Sequence, residues 1–174
     1  MKRLLKIAIT IIVCSLTASK ASAQTIDDSN LVNQLLSLGK CNASAGDAYL
    51  TGLKYKLVSK TVKSISSGDA TFSKYKLADS LGSYTLTSMN DKPISAVCIT
   101  YSKAVEEKAI ADVLKMGFVL KQGPNAEFDQ TVYARGAERF IVKEAKNGDK
   151  TYYTLSGSDL TIAVKTIEDA KAKQ

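Results

Sequence analysis

The stretch RFIVKEAKNGDKTYYTLS, residues 139–156, decides the fold because it is the clearest β-hairpin in the chain. Apolar and polar residues alternate on both sides of Asn147-Gly148, and an Asn-Gly pair between alternating runs is the strongest short-range hairpin signal. The pattern predicts a strand over 139–145, a turn over 146–149 and a second strand over 150–156. We therefore expect the fold to be built on an antiparallel sheet.

Shorter elements surround this hairpin. The segments 118–120 and 131–134 have the composition of short strands, and 160–167, which is rich in β-branched residues, is predicted to be one more strand. Further upstream, Ser102 is a candidate N-cap, and apolar residues then recur at helical spacing as far as Gly117. The second half of the chain is thus predicted to be a helix followed by antiparallel strands.

The first half of the chain shows the same order of a helix followed by strands. Apolar residues at helical spacing predict a helix from Leu31 that ends at Gly39, where we expect a left-handed C-cap. After it, alternating and β-branched runs separated by turn residues predict four strands, over 53–57, 72–77, 83–89 and 94–101.

These elements predict an α+β fold in which two amphipathic helices pack on an antiparallel β-sheet. The order of elements also indicates a tandem α-β-β-β(-β) repeat, with one unit over 28–101 and the other over 102–167. A shift of 78 residues superposes the apolar helix positions and places Tyr75 on Tyr153. Few superposed residues are identical, so a single domain without a repeat stays open as the alternative.

The first 23 residues have the anatomy of a secretory signal peptide. Lys2, Arg3 and Lys6 precede the apolar run 7–16, and Ala21-Ser22-Ala23 fits a small-x-small cleavage site. The apolar run is too short to span a bilayer comfortably. We therefore expect an exported protein with no membrane span after cleavage, located in the periplasm or, as the alternative, secreted.

Removal of the predicted signal peptide, residues 1–23, leaves one α+β domain over 24–174 and changes its charge. The whole chain carries 24 Lys and Arg against 17 Asp and Glu, a net charge of +7. Four of these cations and none of the acids lie in the signal, so residues 24–174 carry a net charge of +3. A nucleic-acid-binding domain is expected to keep a strong basic footprint. The sequence therefore predicts no nucleic-acid partner.

Two cysteines, Cys41 and Cys98, remain after removal of the signal, because Cys14 lies within the apolar run. In an oxidising compartment an isolated pair most simply forms a disulfide. Such a bond closes a loop of about 60 residues and stabilises the fold by about 4 kcal/mol in the chain-entropy description. The alternative is a pair of reactive thiols, which needs a cationic setting that neither position shows in the sequence.

The chain contains no histidine and no tryptophan. Without histidine it lacks the usual general base near neutral pH and the imidazole ligand of many metal sites. The acids show no spacing that pairs two carboxylates, and neither a glycine-rich phosphate loop nor a calcium loop occurs in the sequence. We therefore expect a non-enzymatic role with no catalytic residues, metal or cofactor. An enzyme that uses carboxylates alone is the alternative.

Lysines are concentrated between residues 49 and 76, where six of them accompany a single acid, Asp69. Alternation puts Lys54 and Lys56 on one side of a strand and Lys74 and Lys76 on one side of the next, so that two strands present a positive face. The candidate partner-binding lysines are Lys54, Lys56, Lys60, Lys74 and Lys76. The alternative is a solvated face whose lysines protect a sheet edge against aggregation.

A second candidate patch lies in the C-terminal half, where tyrosine and arginine, residues that often dominate interface energy, fall on neighbouring strands. Its members are Phe128, Arg135, Arg139 and Tyr152. We expect Tyr152 to point outward because the adjacent Tyr153 is expected in the core. The alternative for this patch is a structural role.

Together, export, small size, a disulfide and a charged sheet face predict an exported non-enzymatic binding protein of the bacterial envelope. We expect it to block or neutralise a protein partner of acidic character, as an inhibitor or an immunity protein does. The alternative is an envelope module that binds a lipid or an anionic polymer.

Overall fold

The computed structural model describes residues 29–65, 68–78, 82–125 and 129–172, so the predicted signal peptide and Phe128 lie outside the described residues. The helices are α1 (Leu31–Leu38), α2 (Ala43–Gly52), α3 (Lys103–Lys115) and α4 (Leu160–Lys171). The strands are β1 (Lys56–Ile65), β2 (Gly68–Lys76), β3 (Ser83–Met89), β4 (Lys92–Thr100), β5 (Val119–Gln122), β6 (Thr131–Arg135), β7 (Glu138–Asn147) and β8 (Lys150–Asp159). Within these ranges, no helix is long and apolar enough to cross a membrane.

The eight strands form one antiparallel sheet in the order β1-β2-β3-β4-β8-β7-β6-β5, which confirms the predicted α+β class. Each half of the chain contributes a four-stranded meander, and β4 pairs with β8 to join the two meanders. The edges of the sheet are therefore β1, with ten residues, and β5, with four.

The predicted hairpin over 139–156 is confirmed as β7 and β8, although its turn is shorter than expected. Asn147 pairs with Lys150, so only Gly148 and Asp149 lie in the loop. Gly148 adopts a φ of 59°, a backbone conformation that glycine reaches without strain. The strand predicted over 83–89 is also confirmed, with the same bounds.

One side of the sheet, which we call the helix face, packs against α1, α2 and α3. The strand residues that form the core on this face alternate with those on the other side, as the pleat requires, and each is at most 8% exposed. They are Tyr75, Tyr84, Leu86, Ala96, Cys98, Tyr133, Phe140, Val142 and Leu155. Because these residues come from both meanders, the two meanders share one hydrophobic core.

The other side of the sheet, which we call the open face, is covered at one end by α4. There Ala70, Met89 and Ala170 form a small buried cluster, and Phe72 and Ile167 are packed against it. In the middle of the sheet beyond this cluster, open-face side chains such as Thr85, Val97 and Ile141 are half-buried, whereas their chain neighbours Leu86, Ala96 and Phe140 on the helix face are buried.

The helix α1 lies directly against β8 because two glycines meet there. A Cβ atom at Gly39 would lie 2.5 Å from the carbonyl oxygen of Gly157, and a Cβ at Gly157 would lie 2.6 Å from the carbonyl carbon of Leu35. Gly39 has φ −69° and ψ −10°, so the expected left-handed C-cap is wrong. The glycine at this position serves close backbone approach instead.

The strand predicted over 160–167 is also wrong, because this segment lies in α4. The carboxylate of Asp159 accepts hydrogen bonds from the backbone N–H groups of the next turn and so caps the helix. The buried residues of α4 recur at helical spacing: Ala163, Thr166 and Ala170. The cap and this one-sided burial outweigh the strand preference of the β-branched residues in the segment.

Two helices were predicted, whereas the described residues contain four. The second helix that was not predicted, besides α4, is α2. Its N-cap is Asn42, whose side chain accepts a hydrogen bond from the backbone N–H of Ala45. Only Gly46 and Leu50 are buried in this helix, so its sequence carries no clear apolar stripe. The strand predicted over 53–57 consequently begins later, at Lys56, and extends to Ile65.

The repeat offset of 78 residues is not confirmed by the strand order. It places Tyr75 of β2 on Tyr153 of β8. However, β2 is the second strand of its meander, and the second strand of the other meander is β6. The two halves share a meander topology, and the residue correspondence proposed from the sequence does not follow it.

The structure contains Cys41 and Cys98 as free, buried thiols rather than as the predicted disulfide. Cys41 follows α1, and its Sγ donates a hydrogen bond to the carbonyl oxygen of Leu38 at 3.4 Å. Cys98 lies on β4, where it pairs with Tyr84. Each thiol thus has its own neighbours within the core.

Candidate binding surface

Four lysines lie on the open face beside the β1 edge, and we call this group the lysine face: Lys56, Lys63, Lys74 and Lys76. Residues directly opposite each other in a strand pair share a face of the sheet. Lys56 pairs with Lys76, and Lys63 pairs with Ala70 of the cluster under α4. The Nζ of Lys63 lies 5.7 Å from the centre of the Phe72 ring, within cation–π range.

A β-bulge at Val58 determines which lysines of β1 belong to this group. The pairing register shifts between Leu57 and Ser59. Strict alternation would place Lys60 on the same face as Lys56, but the extra residue reverses every later side chain. Lys60 therefore lies opposite Ser73 on the helix face, and Lys63 takes its place on the open face.

Two of the five predicted lysines thus lie apart from the other three. Lys54 precedes β1 in a turn, with a φ of 68°. Lys60 lines a cavity of about 120 Å³ between α2 and β1, together with Asp47 and Asp91. The predicted residues that the structure brings together are Lys56, Lys74 and Lys76, and Lys63 was missed as a site residue because the bulge has no clear sequence signal.

In the part of the chain that the structure describes, neighbouring acids do not neutralise the charge of the lysine face. Within the described part of the chain, none of its four lysines makes an ion pair. Asp69, the described acid nearest to Lys63 in sequence, pairs with Ser64 and accepts a hydrogen bond from its hydroxyl at 2.7 Å. This surface therefore attracts anionic groups.

A continuous cross-strand row connects the lysine face to the rest of the open face. From the β1 side it runs through six paired residues: Lys74, Thr85, Val97, Ser156, Ile141 and Val132. All six side chains are half-buried. The row combines a charge, hydroxyl groups and β-branched apolar groups, which suits a broad protein contact better than an enclosed small-molecule site.

The edge strand β1 also exposes apolar side chains that the sequence interpretation left unassigned. Leu57, Val58, Val62 and Ile65 are 46–57% exposed, and every residue of β1 is exposed. The alternation of β-branched and polar residues after Lys60 was the available signal for this part of the strand.

The two arginines of the second predicted patch make structural contacts. The guanidinium of Arg135 lies 2.7 Å from the carboxylate of Glu138, donates to the carbonyl oxygen of Met116 at 2.8 Å and lies 4.8 Å from the centre of the Phe118 ring. Arg139 donates to the carbonyl oxygens of Gly136 and Glu138. Both side chains are therefore engaged within their own meander.

Tyr152 is the member of the second patch that lies on the open face. It is half-buried beside Tyr101, with ring centres 6.0 Å apart, whereas Tyr153 is buried on the helix face. The predicted orientation of these two tyrosines is therefore confirmed.

An acidic pocket of about 520 Å³ lies on the helix-face side of β7, at the opposite end of the sheet from the lysine face. Glu106, Asp129 and Glu144 line it. Lys143 donates a hydrogen bond to Asp129 and lowers the pKa of that carboxyl below its usual value. Lys103 lies 3.1 Å from the carboxylate of Glu106. Two of the three acids thus already have a lysine partner.

The two thiols are poor nucleophiles in this environment. Burial raises the pKa of Cys41 to about 11, and burial likewise raises that of Cys98 to about 11. Because the thiolate is the reactive form, thiol chemistry near neutral pH is disfavoured at both positions. In the described ranges, no group of three or more His, Cys, Asp or Glu residues is placed to hold a metal ion.

No protein-family model, curated protein or solved structure matches the chain.

Proposed function

We propose that the protein is an exported, non-enzymatic binding protein of the bacterial envelope that blocks or neutralises an acidic protein partner. The observation that carries this proposal is the lysine face, a positive surface that forms no ion pair among the described residues and continues into a broad half-buried sheet face. Complementary charge accelerates association and fixes the orientation of a partner, while apolar groups such as Val97 and Ile141 supply contact area.

The proposal places the partner on the open face for a second reason. Over the core, the helix face is filled by α1, α2 and α3, so a partner can reach that part of the face only by displacing these helices. The open face needs no such change except at the end that α4 covers. Binding there is compatible with a rigid inhibitor that keeps its structure in the complex.

The test compares capture of envelope proteins by the parent protein and by the triple variant Lys56→Gln, Lys74→Gln and Lys76→Gln. The matched control is Lys146→Gln, Lys150→Gln and Lys165→Gln, which removes the same charge from exposed lysines elsewhere. We expect an acidic partner that parent and control retain, that the triple variant loses and that raised salt releases, because exposed charge pairs are screened.

Equal capture by the parent and the triple variant contradicts the proposal. The second candidate, an envelope module for an anionic polymer or lipid, draws on the same positive surface. It replaces the first if purified anionic envelope polymer or anionic vesicles bind in a salt-dependent manner and no protein is captured.

A further inference from the structure

We infer that the partner contributes an extended, acidic segment that pairs with β1 as a ninth strand of the sheet. This inference rests on the proposed function and specifies how the partner binds. Strand addition to an exposed sheet edge is an established mode of peptide recognition, in which main-chain hydrogen bonds provide affinity and side-chain contacts provide specificity.

The backbone of β1 is available for such pairing. β1 is the first strand in the sheet order and, among the described strands, pairs only with β2. An edge strand leaves alternate backbone N–H and C=O groups without a sheet partner. All ten residues of β1 are exposed, so no described helix shields this edge.

The segment suited to pairing is the regular part of β1 after the bulge, Ser59–Ile65, where the register with β2 is unbroken. Seven residues of antiparallel strand extend about 24 Å, a length typical of one added strand. The opposite edge provides a shorter and less regular strand for pairing, because β5 has four residues and its own register shift between Leu120 and Gln122.

The charge of β1 favours an acidic partner over a second copy of the chain. β1 carries Lys56, Lys60 and Lys63 and no acid. Pairing of two copies of β1 would bring like charges together, which is destabilising across strands. An acidic strand would instead place carboxylates near Lys60 on one face and near Lys63 on the other.

Edge lysines alone are a common protection against aggregation, so they do not by themselves identify a binding edge. The apolar residues between the lysines make that distinction. Protection does not require Val62 and Ile65, which are 57% and 46% exposed on opposite faces of the strand. Alternate apolar and charged groups on both faces are what an amphipathic partner strand needs.

The experiment uses a synthetic seven-residue peptide, Val-Thr-Glu-Val-Thr-Glu-Thr, and the same peptide N-methylated at three consecutive positions. Its two glutamates are three positions apart and therefore lie on opposite faces of a strand, one for Lys60 and one for Lys63. The methylated peptide keeps the charge but cannot donate main-chain hydrogen bonds there. With the first peptide at about ten times its Kd, we expect hydrogen exchange of the outward amides of 59–65 to slow about tenfold. Exchange in β5 serves as the internal control, and the methylated peptide is expected to bind at least about tenfold more weakly.

Equal binding of the two peptides, or binding without slower exchange in 59–65, overturns strand addition and leaves the proposed function intact. Failure of the unmethylated peptide to bind at millimolar concentration also overturns it. Self-association of the protein that slows exchange in β1 overturns it too, because a second copy would then occupy the edge. The proposed function is tested separately by partner capture. It fails if the parent and the lysine triple variant capture the partner equally.

Single variants at Lys60→Gln and Lys63→Gln give a second, independent measurement. An added strand presents side chains on both faces, so strand addition predicts that both variants weaken binding of the peptide to a similar degree. Docking on the open face alone predicts a loss for Lys63→Gln only, and that result would also overturn the inference.

Discussion

The two faces of the sheet are made by the same strands, but they differ in what covers them. On the helix face, three helices bury alternate strand residues almost completely, and Phe140 and Leu155 are fully buried. On the open face, their chain neighbours Ile141 and Ser156 stay half-buried. Fold stability therefore depends mainly on one face, while the other is free to carry binding residues. Substitutions in neighbouring residues of one strand test this division directly.

The largest expected effect is on stability, at Phe140. Phe140→Ala removes a fully buried ring from the core and should lower the free energy of unfolding by about 4 kcal/mol. Ile141→Ala, one residue further along β7 on the open face, should cost about 1 kcal/mol. Urea unfolding followed by circular dichroism measures both. Similar losses in the two variants would show that the faces do not differ as described.

A slightly smaller effect is expected where α1 meets β8. Gly157→Ala places a methyl group 2.6 Å from the carbonyl carbon of Leu35, a backbone atom that cannot move aside without shifting the helix. We expect a loss of about 3 kcal/mol in the free energy of unfolding. The control is Ser156→Ala on the open face, for which a loss below about 1 kcal/mol is expected. A stable Gly157→Ala protein would contradict the close packing of α1 on β8.

The buried thiols of the helix face predict a dependence of stability on alkaline pH. The pKa of each thiol is raised from 9.0 to about 11, so the folded protein keeps a proton that the unfolded chain releases. Stability from this source is full below pH 9 and is lost as the pH rises toward 11. Between pH 8 and pH 10 we expect a loss of about 2 kcal/mol for the two thiols together.

The double variant Cys41→Ala and Cys98→Ala isolates the thiol contribution from tyrosines and lysines that titrate in the same range. Its stability should fall less than that of the parent between pH 8 and pH 10. If the parent and the variant show the same pH dependence, and mass spectrometry finds the parent lighter by two hydrogen atoms than the dithiol form, the disulfide predicted from the sequence is present instead.

The smallest effects are expected from two ion pairs of the second meander that differ in burial. Burial raises the pKa of Glu138, but hydrogen bonds from Lys40 and Arg135 outweigh it and hold the pKa below its usual value. Glu138→Gln should therefore cost about 1 kcal/mol at pH 7, and the difference from the parent should shrink as the pH falls through the carboxyl titration range. Asp129→Asn, which breaks the exposed pair with Lys143, should leave the unfolding midpoint unchanged. Equal responses in the two variants would contradict the different burial of these pairs.

Local sequence signals predicted the elements whose pattern and capping agree. The hairpin of β7 and β8 follows from alternation around Asn147-Gly148, and α3 follows from Ser102, whose side chain accepts a hydrogen bond from the backbone N–H of Val105. The segment of α4 was misassigned because Ile162 and Val164 favour a strand locally. The cap at Asp159 and packing on the sheet favour a helix instead. This packing exists only in the assembled fold, so the local sequence does not show it.

For the candidate surface too, the sequence pattern predicted the positions of some lysine side chains but not of others. Alternation correctly placed Lys56, Lys74 and Lys76 on one face. It could not assign Lys60 and Lys63, because the bulge at Val58 exists only in the pairing of β1 with β2. A one-residue irregularity thus changes which charges a partner meets, without any change in composition.

The pairing of β4 with β8, which joins the two meanders, affects how the chain folds. β4 is complete by Thr100, but its second neighbour begins at Lys150, and α1 also packs on β8. Contacts so distant in sequence form slowly, because the closure of long loops precedes them. Before residues 150–159 emerge, the first meander has an unpaired edge at β4 and an unsupported α1. A chain interrupted before Lys150 therefore exposes both core helix and strand edge, the features that make incomplete chains aggregate or attract chaperones.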